Sequence, residues 1–214
     1  MFDYWSKLFN VVYISKNNSK TELLRQIKDE VLNGAALPLY SERKKNNVFP
    51  VIGEGSHDAK IMFIGEAPGK NEAERGIPFC GASGKILDRL FEHAGIPRED
   101  VYVTNIVKDR PPLNRDPSPD EILAYGPYLD RQIKIIQPKI IATLGRFSMG
   151  YIMKRFGLEQ SLESISKMHG NIYDAKTSFG AVKIVPLYHP AVAVYDAGRM
   201  GELQKDFEVL KKYY

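Results

Sequence analysis

The stretch IMFIGEAPG, residues 61–69, decides the fold of this chain. Its first four residues form a short apolar run, which is typical of a strand that is buried on both faces of a sheet. Its last five residues, Gly65–Gly69, predict a tight turn that lets the backbone approach a ligand closely. In open α/β sheets, ligands bind outside the carboxyl ends of the strands, so this turn is a candidate ligand site.

Outward from this segment, strands and helices alternate along the chain. Three further apolar runs predict strands over residues 101–107, 140–144 and 182–187. Apolar residues at helical spacing predict helices over residues 86–94, 119–137, 146–156 and 200–213. Strands that alternate with helices imply a mostly parallel sheet that is covered on both faces. We therefore predict the α/β class: a three-layer α/β/α domain with a central four-stranded, mostly parallel sheet.

The predicted domain covers residues 19–214, and residues 1–18 are treated as an N-terminal extension. Ser19 and Glu22 are placed to form a capping box, and the apolar stripe that follows predicts a helix that stops at Asn33. The extension is apolar but broken by polar residues, and it has no basic n-region and no small-residue cleavage site. It does not resemble a signal peptide, and we expect a soluble cytoplasmic protein.

The composition is that of an ordinary globular protein. The 214 residues are 43% hydrophobic and 26% charged, with a formal net charge of +4. A single cysteine, Cys80, excludes an intrachain disulfide and a metal site built on several thiolates, and the four histidines are scattered. We therefore predict no metal. No apolar run reaches the 18 residues typical of a membrane span, and the small charge excess is compatible with a polyanionic partner without arguing for one.

Three polar segments follow the predicted strands at the same end of the sheet. They are Gly65–Gly69 after the first strand, Asn105 and its successors after the second, and His189 after the fourth. Asn105 lies inside an apolar run, where an unpaired amide costs about 1–3 kcal/mol, so it needs a partner from the backbone or from a ligand. Phe79 is either a core residue or a stacking surface. His189 is either a satisfied loop histidine or part of a site.

Together these segments resemble the uracil-DNA glycosylase superfamily, most closely its family 4 type. The resemblance runs from about residue 37 to residue 212 and rests on five motifs in family order. The motifs are Gly65–Gly69; Gly76–Phe79 with Gly81 and Gly84; Thr104-Asn105 with Lys108, Arg110–Pro112, Asn114 and Arg115; Leu144-Gly145; and His189–Ala191.

The resemblance implies a monofunctional glycosylase that flips uracil out of DNA and hydrolyses its N-glycosidic bond, leaving an abasic site. Phe79 matches the residue that stacks on the base, and Asn105 matches the amide that pairs with uracil O4 and N3–H. His189 matches the donor to O2, where negative charge collects. We place Glu66 on water or sugar positioning and Glu72 at the pocket wall near uracil C5. The other implied substrate-binding residues are Gly65, Ala67, Pro68 and Gly69.

The resemblance also implies contacts with the DNA backbone and groove. Lys108, Arg110, Arg115 and Arg199 are candidate phosphate contacts, although each is equally well read as solvated surface charge. The segment that begins at Pro190 would enter the minor groove. The expected partner is uracil-containing DNA, single- or double-stranded, and we expect a monomer that does not associate with membranes.

The chain departs from family 4 in its cofactor. Family 4 proteins usually carry an iron–sulfur cluster on four cysteines, and none of the four corresponding positions holds a cysteine here. Those positions hold Leu37, Tyr40, Asp109 and Tyr125. Because these four positions lack cysteine, we predict that the protein has no cluster, and we expect no other cofactor. We expect apolar and aromatic packing by these residues and Leu39 to hold the 35–59 loop instead, and Cys80 to be a small buried apolar residue.

Two other functions stay open from the sequence. One is a catalytically inactive module that binds uracil or DNA. The other is a glycosylase for other deaminated bases, such as hypoxanthine or xanthine. The sequence does not decide the preferred lesion, the strand state, the group that activates water or the role of residues 1–34.

Overall fold

The computed structural model describes residues 19–214, so the extension predicted for residues 1–18 lies outside the described residues. A six-stranded sheet has the order β1-β3-β2-β4-β6-β5. The four inner strands are parallel, and the two outer strands are antiparallel to their neighbours. The strands are β1 Glu54–Gly55, β2 Ile61–Gly65, β3 Tyr102–Asn105, β4 Ile140–Leu144, β5 Tyr173–Thr177 and β6 Gly180–Leu187.

The α/β class and the parallel inner sheet are confirmed, whereas the predicted count of four strands is wrong. The two strands that the sequence did not predict are the outer ones. β1 has only two residues, and β5 has one buried residue among five. An edge strand with an exposed face needs no apolar run, so the signal that identified the inner strands is absent from both.

Side chains of the inner strands alternate between two apolar clusters, one on each face of the sheet. Met62 and Ile64 pack in one cluster with residues of the helices that span residues 20–33, 119–136 and 146–155. Ile61 and Phe63 pack in the other with residues of the helices that span residues 82–94 and 200–211. Because both faces are buried, each inner strand is apolar at nearly every position, and the domain has three layers.

The five predicted helices are present, with ends within four residues of the predicted ones, and four further short helices have no counterpart in the sequence prediction. The predicted capping box at Ser19 with Glu22 is present, and a second one, at Ser118 with Glu121, begins the helix that starts at Pro119. No helix within residues 19–214 is long and apolar enough to cross a membrane. The helices are α1 Lys20–Asn33, α2 Tyr40–Asn46, α3 Lys70–Arg75, α4 Ala82–Ala94, α5 Pro119–Ile136, α6 Arg146–Arg155, α7 Ile165–Met168, α8 Ala191–Tyr195 and α9 Met200–Lys211.

The sheet topology brings three of the motif segments to one edge. Gly65 at the end of β2 pairs with Asn105 at the end of β3. On the other side of β2, β4 leads to β6, and His189 follows β6 by two residues. The chain reverses its direction of winding between β2 and β4, and such a switch point is where open α/β sheets form a ligand crevice.

Candidate active site

A cavity of about 250 Å³ opens at the carboxyl edge of the sheet. Most of the residues predicted for the substrate site line this cavity, and Gly65 lies directly behind it. The lining residues are Glu66, Ala67, Pro68, Gly69, Glu72, Phe79, Ser83, Asn105, Pro111, Asn114, Arg115, His189 and Ala191.

A second concavity, of about 340 Å³, lies at the opposite edge of the sheet. Ile61 and Val101, which precede or begin the inner strands, form part of its wall together with Asp58 and Lys60. None of the predicted site residues lines it. The cavity at the carboxyl edge is therefore the candidate active site.

Asn105 is the buried polar group on which the cavity is built. Its residue is only 2% exposed, and its side-chain oxygen Oδ1 has no hydrogen-bond partner among the described residues. Gly65 leaves room for this amide, because a Cβ at position 65 would overlap Oδ1 of Asn105 and lie 2.7 Å from Cζ of Phe79. An unpaired buried oxygen is costly, and Asn105 is one of the residues that line the cavity, so this amide indicates a ligand with a matching donor.

Phe79 is held in a backbone conformation that a phenylalanine rarely adopts, with φ of 50°. Its carbonyl accepts a hydrogen bond from Arg98, and helix α4 approaches so closely that a Cβ on Gly84 would collide with the same carbonyl. The Phe79 ring lies 5.7 Å from the His189 ring, centre to centre. The strain at Phe79 is therefore maintained by its surroundings and fixes an aromatic surface at the cavity.

His189 is held as a neutral imidazole with a defined tautomer. Burial lowers its pKa to about 4, so the ring is uncharged near neutral pH. Its Nδ1 accepts a hydrogen bond of 3.2 Å from the backbone N–H of Ala191. In a neutral ring the proton must then be on Nε2, which leaves His189 as a hydrogen-bond donor without the cost of burying a charge.

Glu66 provides the titratable carboxyl group of the cavity. Its pKa is raised to about 7, chiefly by burial and in addition by the negative charge of Asp116, while Arg146 acts in the opposite direction. Arg146 and Asp116 form an ion pair of 2.6 Å on the surface beside it. A carboxyl group poised near neutral pH in a cavity is suited to accept a proton.

Glu72 has a geometry that serves the loop as well as the cavity. Its Oε1 accepts a hydrogen bond of 2.8 Å from the backbone N–H of Gly81. A Cβ on Gly69 would come within 2.7 Å of its other oxygen. Glu72 therefore closes the loop that carries Phe79 and lines the cavity at the same time.

The three predicted DNA-contacting arginines lie on the surface, each with a neighbour. Arg110 donates to Asn114 at 2.7 Å, and Arg115 makes two hydrogen bonds with Glu121. Arg199 binds Glu202 at 2.7 Å and lies over a tyrosine ring, that of Tyr188. Their guanidinium groups are preorganised, and Arg115 also lines the cavity.

The structure contradicts one predicted DNA contact. Lys108 has no exposed surface, because its side chain turns into the core and donates to the carbonyl of Asn105. A side chain without accessible surface cannot meet a phosphate, so the predicted phosphate contact of Lys108 is wrong. Pro190 is largely buried at the start of α8, and its place at the DNA groove stays a prediction.

The predicted replacement for the cluster is only partly apolar. Leu39 and Tyr125 are buried as expected, but Tyr125 donates a hydrogen bond to Asp109, and Asp109 forms an ion pair with Arg43. The predicted burial of Cys80 is also wrong, since the residue is partly exposed. Its thiol pKa is raised, chiefly by burial of part of the side chain.

The four corresponding positions do not fit an iron–sulfur cluster. Iron–sulfur clusters are held by thiolates, and these positions carry two hydroxyls, a carboxylate and an apolar side chain. The hydroxyl of Tyr125 already donates a hydrogen bond to the carboxylate of Asp109. No group of three or more potential metal ligands is found among residues 19–214.

Sequence reasoning missed three residues that organise the site. Arg43 lies in a run of polar residues and gives no sign that it is buried, and Gln132 lies in an ordinary helical pattern. Arg98 donates to the carbonyls of Pro78 and Phe79 at 2.8 and 3.4 Å. Each acts through a partner that is distant in the sequence, so no local signal identified it.

The fold and the cavity together define a class: an α/β/α protein whose switch-point cavity offers an aromatic surface, an unpaired amide and a neutral histidine to a flat polar ligand. Residues 52–213 match the family model described as the uracil DNA glycosylase superfamily, and the chain belongs to this superfamily.

Several proteins named type-4 uracil-DNA glycosylase are similar to this chain over most of its length. The type-4 uracil-DNA glycosylase of Saccharolobus solfataricus is 48% identical over 187 residues, which cover 87% of this chain and 84% of the relative. That of Sulfurisphaera tokodaii is 46% identical over 190 residues, covering 88% and 84% of the two chains. That of Archaeoglobus fulgidus is 40% identical over 187 residues, covering 87% and 91%.

Proposed function

We propose that this protein is a DNA repair enzyme that hydrolyses the N-glycosidic bond of deoxyuridine in DNA and leaves an abasic site. The observation that carries the proposal is the unpaired amide of Asn105, which lies in a cavity beside the Phe79 and His189 rings. The names of the relatives support the same activity and the same substrate.

Asn105 selects uracil by hydrogen-bond complementarity. Its Oδ1 accepts from uracil N3–H, and its amide nitrogen donates to uracil O4. Cytosine presents an acceptor and a donor in the reverse order, so it would leave both groups of the amide unpaired in a buried site. A mismatch of this kind costs several kcal/mol, which is enough to reject normal cytosine. Phe79 covers the face of the flipped base.

His189 stabilises the departing base. As the bond between C1′ and N1 breaks, its electron pair enters the uracil ring and negative charge develops on O2. The Nε2–H of the neutral His189 ring donates to that oxygen, and the bond strengthens as the charge grows. A preorganised donor of this kind contributes about 3 kcal/mol to the transition state.

Glu66 positions the attacking water. Water adds to C1′ and must lose a proton, and the carboxylate of Glu66 accepts it. With a pKa near 7, Glu66 is substantially ionised at neutral pH and is basic enough for this step.

Two exposed apolar side chains, on segments that carry lining residues of the cavity, suit a protein that flips bases. Leu113 is 94% exposed and lies between the lining residues Pro111 and Asn114, and Tyr195 is 90% exposed at the end of α8. Among the described large hydrophobic residues these two are the most exposed. A flipped base leaves a gap in the stack, and inserted apolar side chains fill such gaps in other DNA-bending proteins.

We also propose that the protein acts as a monomer and that it has no iron–sulfur cluster. The buried contacts of Arg43, Asp109 and Tyr125 take over the connection between the loop and the sheet. Iron and sulfide analysis of protein purified without oxygen tests this: the proposal expects neither in stoichiometric amount, and a visible absorption band from a cluster contradicts it.

Single-turnover cleavage tests the activity. Oligonucleotides carrying uracil, hypoxanthine or xanthine, each single- and double-stranded, are treated with the wild type and with Asn105→Ala and His189→Ala. We expect uracil release by the wild type and a loss of at least about 100-fold in each variant. Lys167→Met, a change of an exposed residue that does not line the cavity, serves as the control. Binding without cleavage would instead support an inactive module, and preferred release of another base would revise the substrate.

A further inference from the structure

Lys108 is a wholly buried cation with a complete set of partners. Its side chain has no exposed surface. Its Nζ donates to Oε1 of Gln132 at 2.6 Å, to the carbonyl of Asn105 at 2.7 Å and to Oγ1 of Thr104 at 2.8 Å. The carbonyl of Ile52 lies further away, at 3.4 Å.

The orientation of these partners is fixed by their other hydrogen bonds. The Thr104 hydroxyl donates to the Ile52 carbonyl at 2.6 Å, so its oxygen accepts from Lys108. The Gln132 amide nitrogen donates to the same carbonyl at 2.9 Å, which turns its oxygen towards Lys108. Three acceptors thus face the three N–H groups of an ammonium. Burial lowers the pKa of Lys108, and the three acceptors favour the protonated form.

The Lys108 side chain lies beside the end of β3, at a position where no described strand pairs with Asn105 on that side. β1 pairs only with Tyr102 and Val103, so nothing continues the ladder beside Asn105 on that side of β3. On the other side, β2 reaches Asn105 through Gly65. The Asn105 carbonyl would be an unpaired strand end without Lys108, which supplies the missing donor.

This anchor matters because no hydrogen bond from the described residues holds the Asn105 side-chain oxygen. Its Oδ1 has no partner among the described residues, so hydrogen bonds within the protein do not aim that oxygen. The direction of the amide is therefore set by the backbone that carries it and by packing against Gly65 and Phe79. A group that recognises a base must be held within a fraction of an ångström, and misplacement by about 1 Å can cost 100-fold in rate.

We propose that Lys108 is a positioning residue for the glycosylase reaction: its ammonium fixes the Asn105 peptide at the end of β3 and so aims the Asn105 amide at the flipped base. The proposal rests on the function proposed above for Asn105. It also explains why a buried cation stands where an apolar side chain would be cheaper to bury.

A double-mutant cycle tests the proposal. Lys108→Met keeps most of the volume and removes the donors. In the wild-type background we expect kcat/KM for uracil release to fall by about 10- to 100-fold. In the Asn105→Ala background, the same substitution changes kcat/KM by less than about 2-fold, since the amide it positions is gone. Equal losses in the two backgrounds overturn the proposal.

Tyr125→Phe is the matched control. It also removes a buried hydrogen bond, to Asp109, but it does not touch Asn105. Its small effect on kcat/KM should be the same in both backgrounds, whatever it does to stability. If Lys108→Met does not fold, Gln132→Leu removes one acceptor and leaves the lysine in place. The same dependence on Asn105 is then expected with a smaller loss, and its absence overturns the proposal.

Two further outcomes are distinguishable. The dependence of DNA affinity on salt should keep its slope in Lys108→Met, whereas loss of a phosphate contact would reduce the slope by about one. A reduced slope therefore overturns the positioning role. If Asn105→Ala itself cleaves at the wild-type rate, the proposed function of Asn105 is wrong, and the role of Lys108 falls with it.

Discussion

Tyr125 donates a hydrogen bond of 2.6 Å to Oδ2 of Asp109, and Nη1 of Arg43 lies 3.0 Å from each oxygen of the same carboxylate. Arg43 also donates to the carbonyls of Val31 and Leu32 at the end of α1. The three side chains therefore join α1, α2, α5 and the segment after β3. In the family resemblance, Asp109 and Tyr125 stand at two positions of the cluster cysteines, so a polar network connects parts that a cluster would connect.

We expect Arg43→Met to destabilise the protein by about 3–5 kcal/mol, because it leaves the buried Asp109 carboxylate without its countercharge. Tyr125→Phe removes one hydrogen bond and should cost about 1–3 kcal/mol. Urea denaturation at pH 7 measures both. Lys167→Met breaks an exposed ion pair with Glu163 and should cost less than about 1 kcal/mol. An Arg43→Met cost no larger than that of Lys167→Met would show that the network does not hold the fold.

The sequence was sufficient for the inner sheet and most of the long helices because their signals are local. The run at residues 61–64 is apolar at every position since both faces of β2 are buried, and capping boxes mark the starts of α1 and α5. The outer strand β5 was not predicted. β5 pairs with β6 through backbone hydrogen bonds, which do not depend on the identity of the side chains. Its side chains are mostly exposed, so it lacks the apolar run that predicts a buried strand.

In the site, the motifs located the cavity but did not reveal which charges are buried. Asn105 and His189 lie where the sheet topology predicts. The sequence alone predicts Lys108 as a surface cation, because lysine is rarely buried without a countercharge. Its burial becomes possible only through the distant Gln132 and the end of β3, which supply acceptors for its amine. Burial of a charged residue depends on partners across the fold, and a single sequence does not display those partners.

The unpaired amide of Asn105 predicts opposite effects on stability and activity. Asn105→Leu has a similar size and removes a buried acceptor that has no protein partner. We expect the free energy of unfolding to rise by about 1 kcal/mol, while uracil release falls by at least about 100-fold. Thermal denaturation and single-turnover cleavage measure the two. A variant that is both destabilised and inactive would point to a structural partner for the amide instead.

Gly65 predicts that a single methyl group at this position displaces the Asn105 amide and the Phe79 ring. A Cβ in Gly65→Ala would overlap Oδ1 of Asn105 and press on the Phe79 ring. We expect loss of uracil release by at least about 100-fold and destabilisation by about 1–3 kcal/mol. Gly150→Ala is the matched control, because α6 has open space at that position. It should retain activity and gain about 0.5–1 kcal/mol. Full activity in Gly65→Ala would show that the position of the Asn105 amide is not needed for binding of the base.

The pKa of Glu66 predicts the pH dependence of the reaction. Only the ionised carboxylate accepts a proton from water, so kcat/KM should rise with pH and level off above about pH 7. His189 adds no inflection between pH 5 and 8, since burial lowers its pKa to about 4. In Glu66→Gln the rate should be low, and its dependence on pH through 7 should vanish. A rising limb that persists in this variant would exclude Glu66 as the base.

The same carboxyl group predicts a change in stability with the opposite sign. In the folded state its pKa is about 7, above the ordinary value of 4.5, so the folded protein holds this proton more tightly than the unfolded chain does. The contribution of the Glu66 carboxyl group to the free energy of unfolding is therefore greatest below pH 4.5 and declines as the pH rises to 7. The Glu66→Gln variant does not undergo this decline, because its amide does not ionise. Allowing for the partial exposure of the carboxyl group, we expect the variant to be more stable than the wild type by about 1–2 kcal/mol at pH 8, and no more stable at pH 4. Urea denaturation at the two pH values measures the difference, and equal stabilities at pH 8 would mean that the carboxylate is fully solvated.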